Sequence, residues 1–246
     1  MAKTVRKKNP TKARKIIGIS IHVLLGLAVL YSAWRLITIS DNAVTPEGQS
    51  LRQDYVLSLL QCLVGFIVMF LPSRLDKRYN IVVPDRIQIM YFIFLYMAIF
   101  LGEVRNYYYR FPFWDSILHA FSGGMLAVIG LLLINLLNGR ENLHLDLSPL
   151  FVALFAVSFA VLSGVVWEIY EFTADGLLGT NMQKFMQYGG EVMVGRDALL
   201  DTMYDLIIDL VSAALVGVFG YFSLKAESNL MTDADDQERI EEAGNL

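Results

Sequence analysis

Acidic residues and one histidine recur at helical spacing in the second half of the chain. Asp115 and His119 are four residues apart, while Glu168, Glu171 and Asp175 follow one another at spacings of three and four. Residues three or four apart lie on the same face of an α-helix. Each set therefore predicts a polar stripe along a helix.

A third stripe consists of Asp197, Asp201, Asp205 and Asp209, which repeat every four residues. On a helix this repeat turns by about 40° per step, and the last member lies roughly 18 Å from the first. The segments that carry the stripes are otherwise apolar, and an ionisable side chain inside a membrane costs about 2.5 to 3.5 kcal/mol. Such residues predict a functional site.

Something must neutralise these carboxylates, because desolvation and mutual repulsion prevent all of them from remaining ionised in an apolar space. Four solutions are open: shared protons, a basic partner such as Arg105, Arg110 or Arg196, a water-filled cavity, or a bound metal ion. One histidine among carboxylates is a hard ligand set that suits Mn, Fe, Zn or Mg. A divalent metal ion is the predicted cofactor.

The pattern indicates a metal-dependent hydrolase or transferase that acts on a lipid or lipid-linked substrate. The predicted metal ligands are His119, Glu168, Glu171, Asp201 and Asp205. Around them we expect Asp115, Asp197, Glu103 and Arg105, with Asp209 or Asp175 as a general base.

Other interpretations remain open at this point. Asp115 is also suited to cap a helix, His119 alone to pack between helices, and Asp197 to lie exposed at the membrane edge. The same carboxylates would serve a transporter of protons or divalent cations, with Asp209 continuing the polar route inward. A metal that only holds the bundle together is a third alternative.

The connection from Thr173 to Arg196 is rich in glycine. Its glycines are Gly176, Gly179, Gly189, Gly190 and Gly195. Both a partly re-entrant lid over the polar cluster and a plain flexible loop fit this composition.

The elements that must position these residues are membrane helices. Hydrophobic residues make up 55% of the chain and charged residues 18%, which is typical of a membrane protein. Six apolar runs approach the length of about 20 residues that crosses a bilayer. They cover Ile16–Trp34, Tyr55–Leu71, Ile87–Leu101, Asp115–Leu137, Leu150–Phe172 and Ala198–Leu224. The predicted fold is an all-α polytopic bundle of about six transmembrane helices.

Three regions follow from this pattern: a basic arm at residues 1–15, a transmembrane domain at 16–224 and an acidic tail at 225–246. The tail is expected to be solvated and partly disordered. Seven basic residues precede the first run, and the second connection contains four more, Arg74, Lys77, Arg78 and Arg86. Positively charged connections stay in the cytoplasm, so both termini are predicted to be cytoplasmic.

In this topology the three stripes converge in the external half of the bilayer. The basic arm beside a membrane helix indicates lipid contact, and no nucleic acid partner is expected. The single cysteine, Cys62, excludes an intramolecular disulfide, and its position predicts core packing. The oligomeric state stays open, a homo-oligomer included.

Three short motifs carry a family resemblance. They are Trp114-Asp115 with His119, Trp167-Glu168 with Glu171, and Asp197 with Asp201 and Asp205. Their combination, from about Glu103 to Gly217, resembles the YjdF-like family of uncharacterised bacterial inner-membrane proteins. The resemblance implies a multi-pass protein of the bacterial cytoplasmic (inner) membrane and assigns no catalytic residue.

Overall fold

The structure is a computed structural model that describes residues 10–44, 50–79, 83–138, 147–186 and 191–244. Side chains are described for the same residues except 79, 135–138 and 230–244. Residues 1–9 of the basic arm and 245–246 of the acidic tail therefore lie outside the described part, as do Gly189 and Gly190 of the glycine-rich connection.

Helices account for nearly all of the regular structure in the described residues. Eight α-helices occur in the order α1 Lys12–Thr38, α2 Leu51–Val68, α3 Leu71–Tyr79, α4 Asp85–Leu95, α5 Tyr107–Arg110, α6 Trp114–Asn138, α7 Pro149–Leu178 and α8 Leu200–Gly244. A π-helical segment, Tyr96–Val104, continues α4, and a short 3-10 turn, Asp197–Leu199, precedes α8.

Six helical segments are long and apolar enough to cross a membrane, as the sequence predicted. They are Lys12–Thr38, Leu51–Arg78, Asp85–Val104, Trp114–Ile134, Pro149–Leu178 and Asp197–Asn229. Large apolar side chains point outward along them, for example Ile37 at 85% exposure and Phe219 at 77%. Only lipid offers such side chains a favourable surrounding, so the all-α multi-pass prediction is confirmed.

The third span changes from α-helix to π-helix at Tyr96. Gly102 lies in this segment, and the ring of Tyr108 packs directly on it. A Cβ atom at Gly102 would lie 2.4 Å from Tyr108 Cε2, so only glycine admits the ring there. The chain then turns at Asn106, which adopts a left-handed φ of 56°.

The chain divides into two compact units. The first unit comprises Met1–Phe121 and Val166–Asp205. Its apolar core joins α1, α2 and the third span, with Leu25 and Cys62 fully buried. Gly65 allows close approach in this core, because an added Cβ would lie 2.3 Å from Ile99 Cδ1. The prediction that Cys62 is a packing residue is confirmed.

The second unit comprises Ser122–Val165 and Leu206–Leu246. Ala127, Ala160 and Ala213 are completely buried where α6, α7 and α8 meet in this unit. A Cβ atom at Gly130 would lie 2.9 Å from Ala156 Cα, so the backbones of α6 and α7 touch. Small residues replace large apolar ones at such contacts between membrane helices.

The expectation of a partly disordered acidic tail is wrong for most of its length. Helix α8 continues through the tail as far as Gly244. The low hydrophobicity of the tail means that its residues gain little from burial in a core. It does not prevent a helix that is already nucleated in the preceding apolar segment from continuing into the tail.

Candidate metal centre

The first turns of α6 position Asp115 and His119. The helix begins at Trp114, so Asp115 lies inside its first turn and does not occupy the cap position. Its side chain contacts other site residues, which corrects the capping interpretation. His119 is 5% exposed, and its Nε2 atom lies 3.8 Å from Asp115 Oδ1. Helical spacing thus produces the predicted pair.

Two further carboxylates approach the same histidine nitrogen from other helices. His119 Nε2 lies 3.9 Å from Glu168 Oε1 on α7 and 3.9 Å from Asp205 Oδ2 on α8. Glu168 is 5% exposed and Asp205 2%. One ligand atom each from Asp115, His119 and Asp205 lies within 4.8 Å of the other two. The structure therefore contains a possible metal-ligand group, in which Asp115 is a direct member and not only a neighbour.

Several carboxylate oxygens of this cluster are buried without a hydrogen-bond partner among the described residues. They are both oxygens of Glu168, Oε2 of Glu171, Oδ2 of Asp201 and Oδ2 of Asp205. A buried acceptor without a donor costs about 1–3 kcal/mol, and more if it is charged. These oxygens require a proton or a cation.

Lys184 supplies the one lysine of the cluster, and the sequence analysis missed it. Its ammonium donates to Asp115 Oδ2 and, over 3.1 Å, to Asp201 Oδ1. Desolvation lowers the pKa of this ammonium, but attraction to Asp115 and Asp201 outweighs it and leaves the pKa raised above its usual range. Lys184 therefore remains charged at neutral pH, and it replaces the arginines considered as partners from the sequence.

The turn that carries Lys184 is held by Asp175, one of the two predicted general bases. The Asp175 carboxylate accepts from Thr180 Oγ1 at 2.6 Å and from the backbone nitrogens of Met182 and Gln183 at 2.8 and 3.0 Å. Lys184 itself adopts a left-handed φ of 47°. Asp175 thus shapes the loop, since all three bonds lead into the connection.

A second set of bonds closes the same turn. The Asn181 side chain donates to the carbonyl of Met186 at 3.0 Å and accepts from its backbone nitrogen at 2.9 Å. The described part of the glycine-rich connection is therefore an ordered turn that delivers a lysine to the carboxylates. A signal was available, because Lys184 is the one lysine between Lys77 and Lys225.

Two predicted ligands are engaged by neighbours. Glu171 Oε1 accepts a 2.9 Å bond from the indole Nε1 of Trp167, and Asp201 is paired with Lys184. Both carboxylates retain one unpartnered oxygen among the described residues. They lie in the cluster, although neither belongs to the group of three ligand atoms around His119.

The remaining predicted residues lie outside the group of ligand atoms around His119. Asp197 is exposed in the 3-10 turn before α8, which fits the alternative of a membrane-edge residue. Glu103 lines a cavity of about 40 Å³ together with Asp115, Glu171 and Lys184. Arg105 is exposed and lines another cavity. Asp209 is 2% exposed and belongs to the second unit, where a Cβ at Gly164 would lie 2.2 Å from its Oδ2.

The arrangement is suited to a hard divalent cation. It offers one imidazole nitrogen and several carboxylate oxygens. Mn and Mg prefer the oxygen ligands, and Fe and Zn also bind imidazole nitrogen. Five acidic side chains (Asp115, Glu168, Glu171, Asp201 and Asp205) accompany one lysine and one histidine, so acidic groups outnumber basic ones in the cluster. The adjoining cavity of about 40 Å³ has room for a water molecule.

Comparison with known proteins identifies the family of the chain. A protein of Thermotoga maritima called "Uncharacterized protein" is 33% identical over 153 residues, which cover 60% of this chain and 70% of that protein. No solved structure matches the chain significantly. The model of the family described as "Predicted membrane protein (DUF2238)" matches residues 20–226. This family is consistent with the YjdF-like resemblance found in the sequence, which is thereby confirmed. The chain therefore belongs to the DUF2238 family of multi-pass membrane proteins.

Proposed function

We propose that this protein is a divalent-metal-dependent membrane enzyme, a hydrolase or transferase that acts on a lipid or lipid-linked substrate. The supporting observation is the position of His119 Nε2, which lies 3.8 to 3.9 Å from carboxylate oxygens of Asp115, Glu168 and Asp205. A hydrogen-bonded packing histidine needs one acceptor. Three acidic acceptors from three helices favour a shared cation.

Asp115, His119, Glu168 and Asp205 would hold the ion, whose chemistry is to activate water or polarise a phosphoryl or acyl oxygen. Lys184 would stabilise negative charge that develops beside the ion, since its ammonium already bridges Asp115 and Asp201. Glu171 lines the adjoining cavity and would be the group that exchanges a proton with a water there. Asp175 is the weaker candidate for general base, because three hydrogen bonds engage it.

The proposed location is the bacterial cytoplasmic (inner) membrane, with both termini in the cytoplasm and the metal centre toward the external leaflet. The distribution of Lys and Arg supports this orientation. Alkaline phosphatase fused after Gly244 should be inactive, and fused within residues 187–190 it should be active. The opposite pattern would place the centre on the cytoplasmic side.

Metal analysis tests the proposal most directly. Purified wild-type protein should hold a stoichiometric divalent ion, and His119→Ala should lose it. Asp197→Ala is the control, because Asp197 belongs to the acidic stripe predicted from the sequence but lies exposed outside the cluster. Wild-type protein without tightly held metal, or equal loss in the control, would refute the metal centre.

Transport of protons or divalent cations is the second candidate, and Asp209 favours it. This carboxylate is 2% exposed and lies one helical turn beyond Asp205 in sequence. Buried acids at such positions are common in ion pathways. Proton or divalent-cation flux into liposomes that is present with wild-type protein and absent with Asp209→Asn would support transport. Liposomes with wild-type protein that take up neither would exclude transport and favour the enzyme.

A further inference from the structure

A polar cavity of about 260 Å³ lies in the first unit, at the end of the bundle that contains the connections after α1 and the third span. Its charged lining consists of Asp54, Glu103, Arg105 and Arg110, and Tyr31 and Tyr55 form an aromatic wall. One liquid water occupies about 30 Å³. The cavity therefore has room for a polar group of roughly eight or nine non-hydrogen atoms.

The wall of this cavity is built by specific contacts. Arg35 donates from Nε to the Tyr55 hydroxyl at 3.1 Å, and its guanidinium lies 5.1 Å from the centre of the Tyr55 ring. Asn106, with its left-handed backbone, turns the chain between Arg105 and Arg110. Arg105 and Arg110 line the same cavity on either side of the turn at Asn106.

The two arginines are available to a ligand. Both are exposed, and neither is in ion-pair distance of a carboxylate among the described residues. The planar guanidinium matches a phosphate group through two parallel hydrogen bonds. Two arginines on one turn thus form a receptor for a phosphoryl group.

The carboxylates in the same lining argue against a purely anionic ligand. Asp54 would repel a second negative charge, and the carboxyl oxygens of Asp54 and Glu103 can accept hydrogen bonds from a primary ammonium. Two guanidinium groups and two carboxyl groups in one cavity together fit a ligand that carries both a phosphate and an amine.

The surrounding aromatic residues place this cavity at the level of lipid headgroups. Tyr109 is 44% exposed, Phe111 49% and Phe113 73%, and all three lie beside Arg110 in the sequence. Tyrosine and tryptophan belts mark the membrane–water interface. A ligand that enters here meets the protein where phospholipid headgroups are concentrated.

We propose that this cavity binds the headgroup of an amine-bearing phospholipid, with the phosphate at Arg105 and Arg110 and the ammonium at Asp54 and Glu103. The cavity shares Asp54, Glu103 and Asn106 with the smaller cavity that reaches Asp115, Glu171 and Lys184. The assignment names the substrate class of the proposed enzyme and so rests on that function. Headgroup binding itself does not need the metal.

Native mass spectrometry of the full-length protein, kept in detergent with EDTA, tests the assignment. The probes are dioctanoyl phosphatidylethanolamine, phosphatidylglycerol and phosphatidylcholine, with inorganic phosphate as competitor. The ethanolamine lipid should bind at least about tenfold tighter than the other two, because phosphatidylglycerol has no ammonium and the quaternary ammonium of phosphatidylcholine cannot donate hydrogen bonds to Asp54 and Glu103. Chelation keeps this result independent of the metal centre.

Two variants locate the binding. The double variant Arg105→Gln with Arg110→Gln should bind the ethanolamine lipid at least about tenfold more weakly, and Asp54→Asn should remove the preference over phosphatidylcholine. The matched control is Arg52→Gln, an exposed arginine at the same end that pairs with Asp41 outside the cavity. It should bind like wild type.

Three results would overturn the proposal. Equal affinity for the three lipids would remove the amine requirement, and an equal loss in the Arg52 control would indicate general charge attraction. Displacement of the lipid by millimolar inorganic phosphate would identify a free phosphate site in place of a lipid site. If binding is confirmed while the metal analysis fails, the headgroup site stands and the enzyme does not.

Discussion

Replacing Lys184 by methionine removes the only lysine that contacts the carboxylate cluster in the described structure. The ammonium lies 3.1 Å from Asp201 Oδ1, where two unit charges attract by about 5 kcal/mol at an effective dielectric constant of roughly 20. Removing one partner of a buried pair costs roughly 3–5 kcal/mol. Because the Lys184 side chain is 30% exposed, we expect the lower end, about 3 kcal/mol.

The assay is thermal unfolding of detergent-solubilised protein that has been freed of metal. A loss of about 3 kcal/mol should lower the melting temperature by roughly 6 to 12 °C in a chain of this size. Added Mn²⁺ should restore more stability to the variant than to wild type, because two carboxylates lose their counter-ion. The exposed lysine Lys77 provides the control, and Lys77→Met should melt within about 2 °C of wild type. A metal-free Lys184→Met protein that melts with wild type would refute the ion-pair assignment.

Three further predictions concern packing, the loop and pH. Gly130→Ala should destabilise the protein by about 1–3 kcal/mol, because the added Cβ would lie 2.9 Å from Ala156 Cα. Gly124→Ala is the control and should be tolerated, because the nearest atom to its Cβ would be 3.7 Å away. Equal denaturation midpoints for the two variants would contradict this prediction. Asp175→Asn should lower the stability of the protein by about 1–3 kcal/mol and expose the 180–186 turn to proteolysis, because the new amide nitrogen would face a backbone N–H donor. A cleavage rate equal to that of wild type would contradict this prediction. Burial and nearby acidic side chains raise the pKa of Tyr108 well above its usual value. The neutral phenol of Tyr108 therefore contributes to the stability of the folded protein below about pH 10, and this contribution is lost as the pH rises further, because the tyrosine ionises first in the unfolded chain. The melting temperature should therefore fall less steeply between about pH 9 and 11 in Tyr108→Phe than in wild type. Parallel curves of melting temperature against pH would contradict the raised pKa of Tyr108.

The sequence predicted those parts of the site that depend on helical periodicity. Asp115, His119, Glu168 and Asp205 lie on three helices, and a period of 3.6 residues decides which side chains share a face. Hydrophobic length predicted the helices themselves, and the cost of a buried charge indicated that the acidic faces turn inward. Helical periodicity and hydrophobic length depend only on residues close together in the sequence, so both can be used without knowledge of the tertiary structure.

What the sequence did not reveal depends on tertiary contacts. Lys184 reaches the cluster because Asp175 and Asn181 fold a loop of no regular period, and no local pattern specifies that path. The change to π-helix at Tyr96 likewise follows no composition signal. Asp115 was expected beside the ligands or as a helix cap, but α6 begins at Trp114, two residues earlier than a cap at Asp115 requires, and Asp115 joins the ligand group.

The bond between Trp167 and Glu171 gives the centre an optical reporter. The chain has three tryptophans, and Trp167 donates its indole proton to a cluster carboxylate at 2.9 Å. The others are Trp34, which is 56% exposed on α1, and Trp114, which precedes Asp115 at the start of α6, so a Trp114→Phe protein isolates the signal of Trp167 from that of its neighbour in the cluster. An ion or proton that draws on the Glu171 carboxylate must change the electric field at the Trp167 indole. Intrinsic fluorescence of the unlabelled protein should therefore register occupation of the centre before any substrate is known.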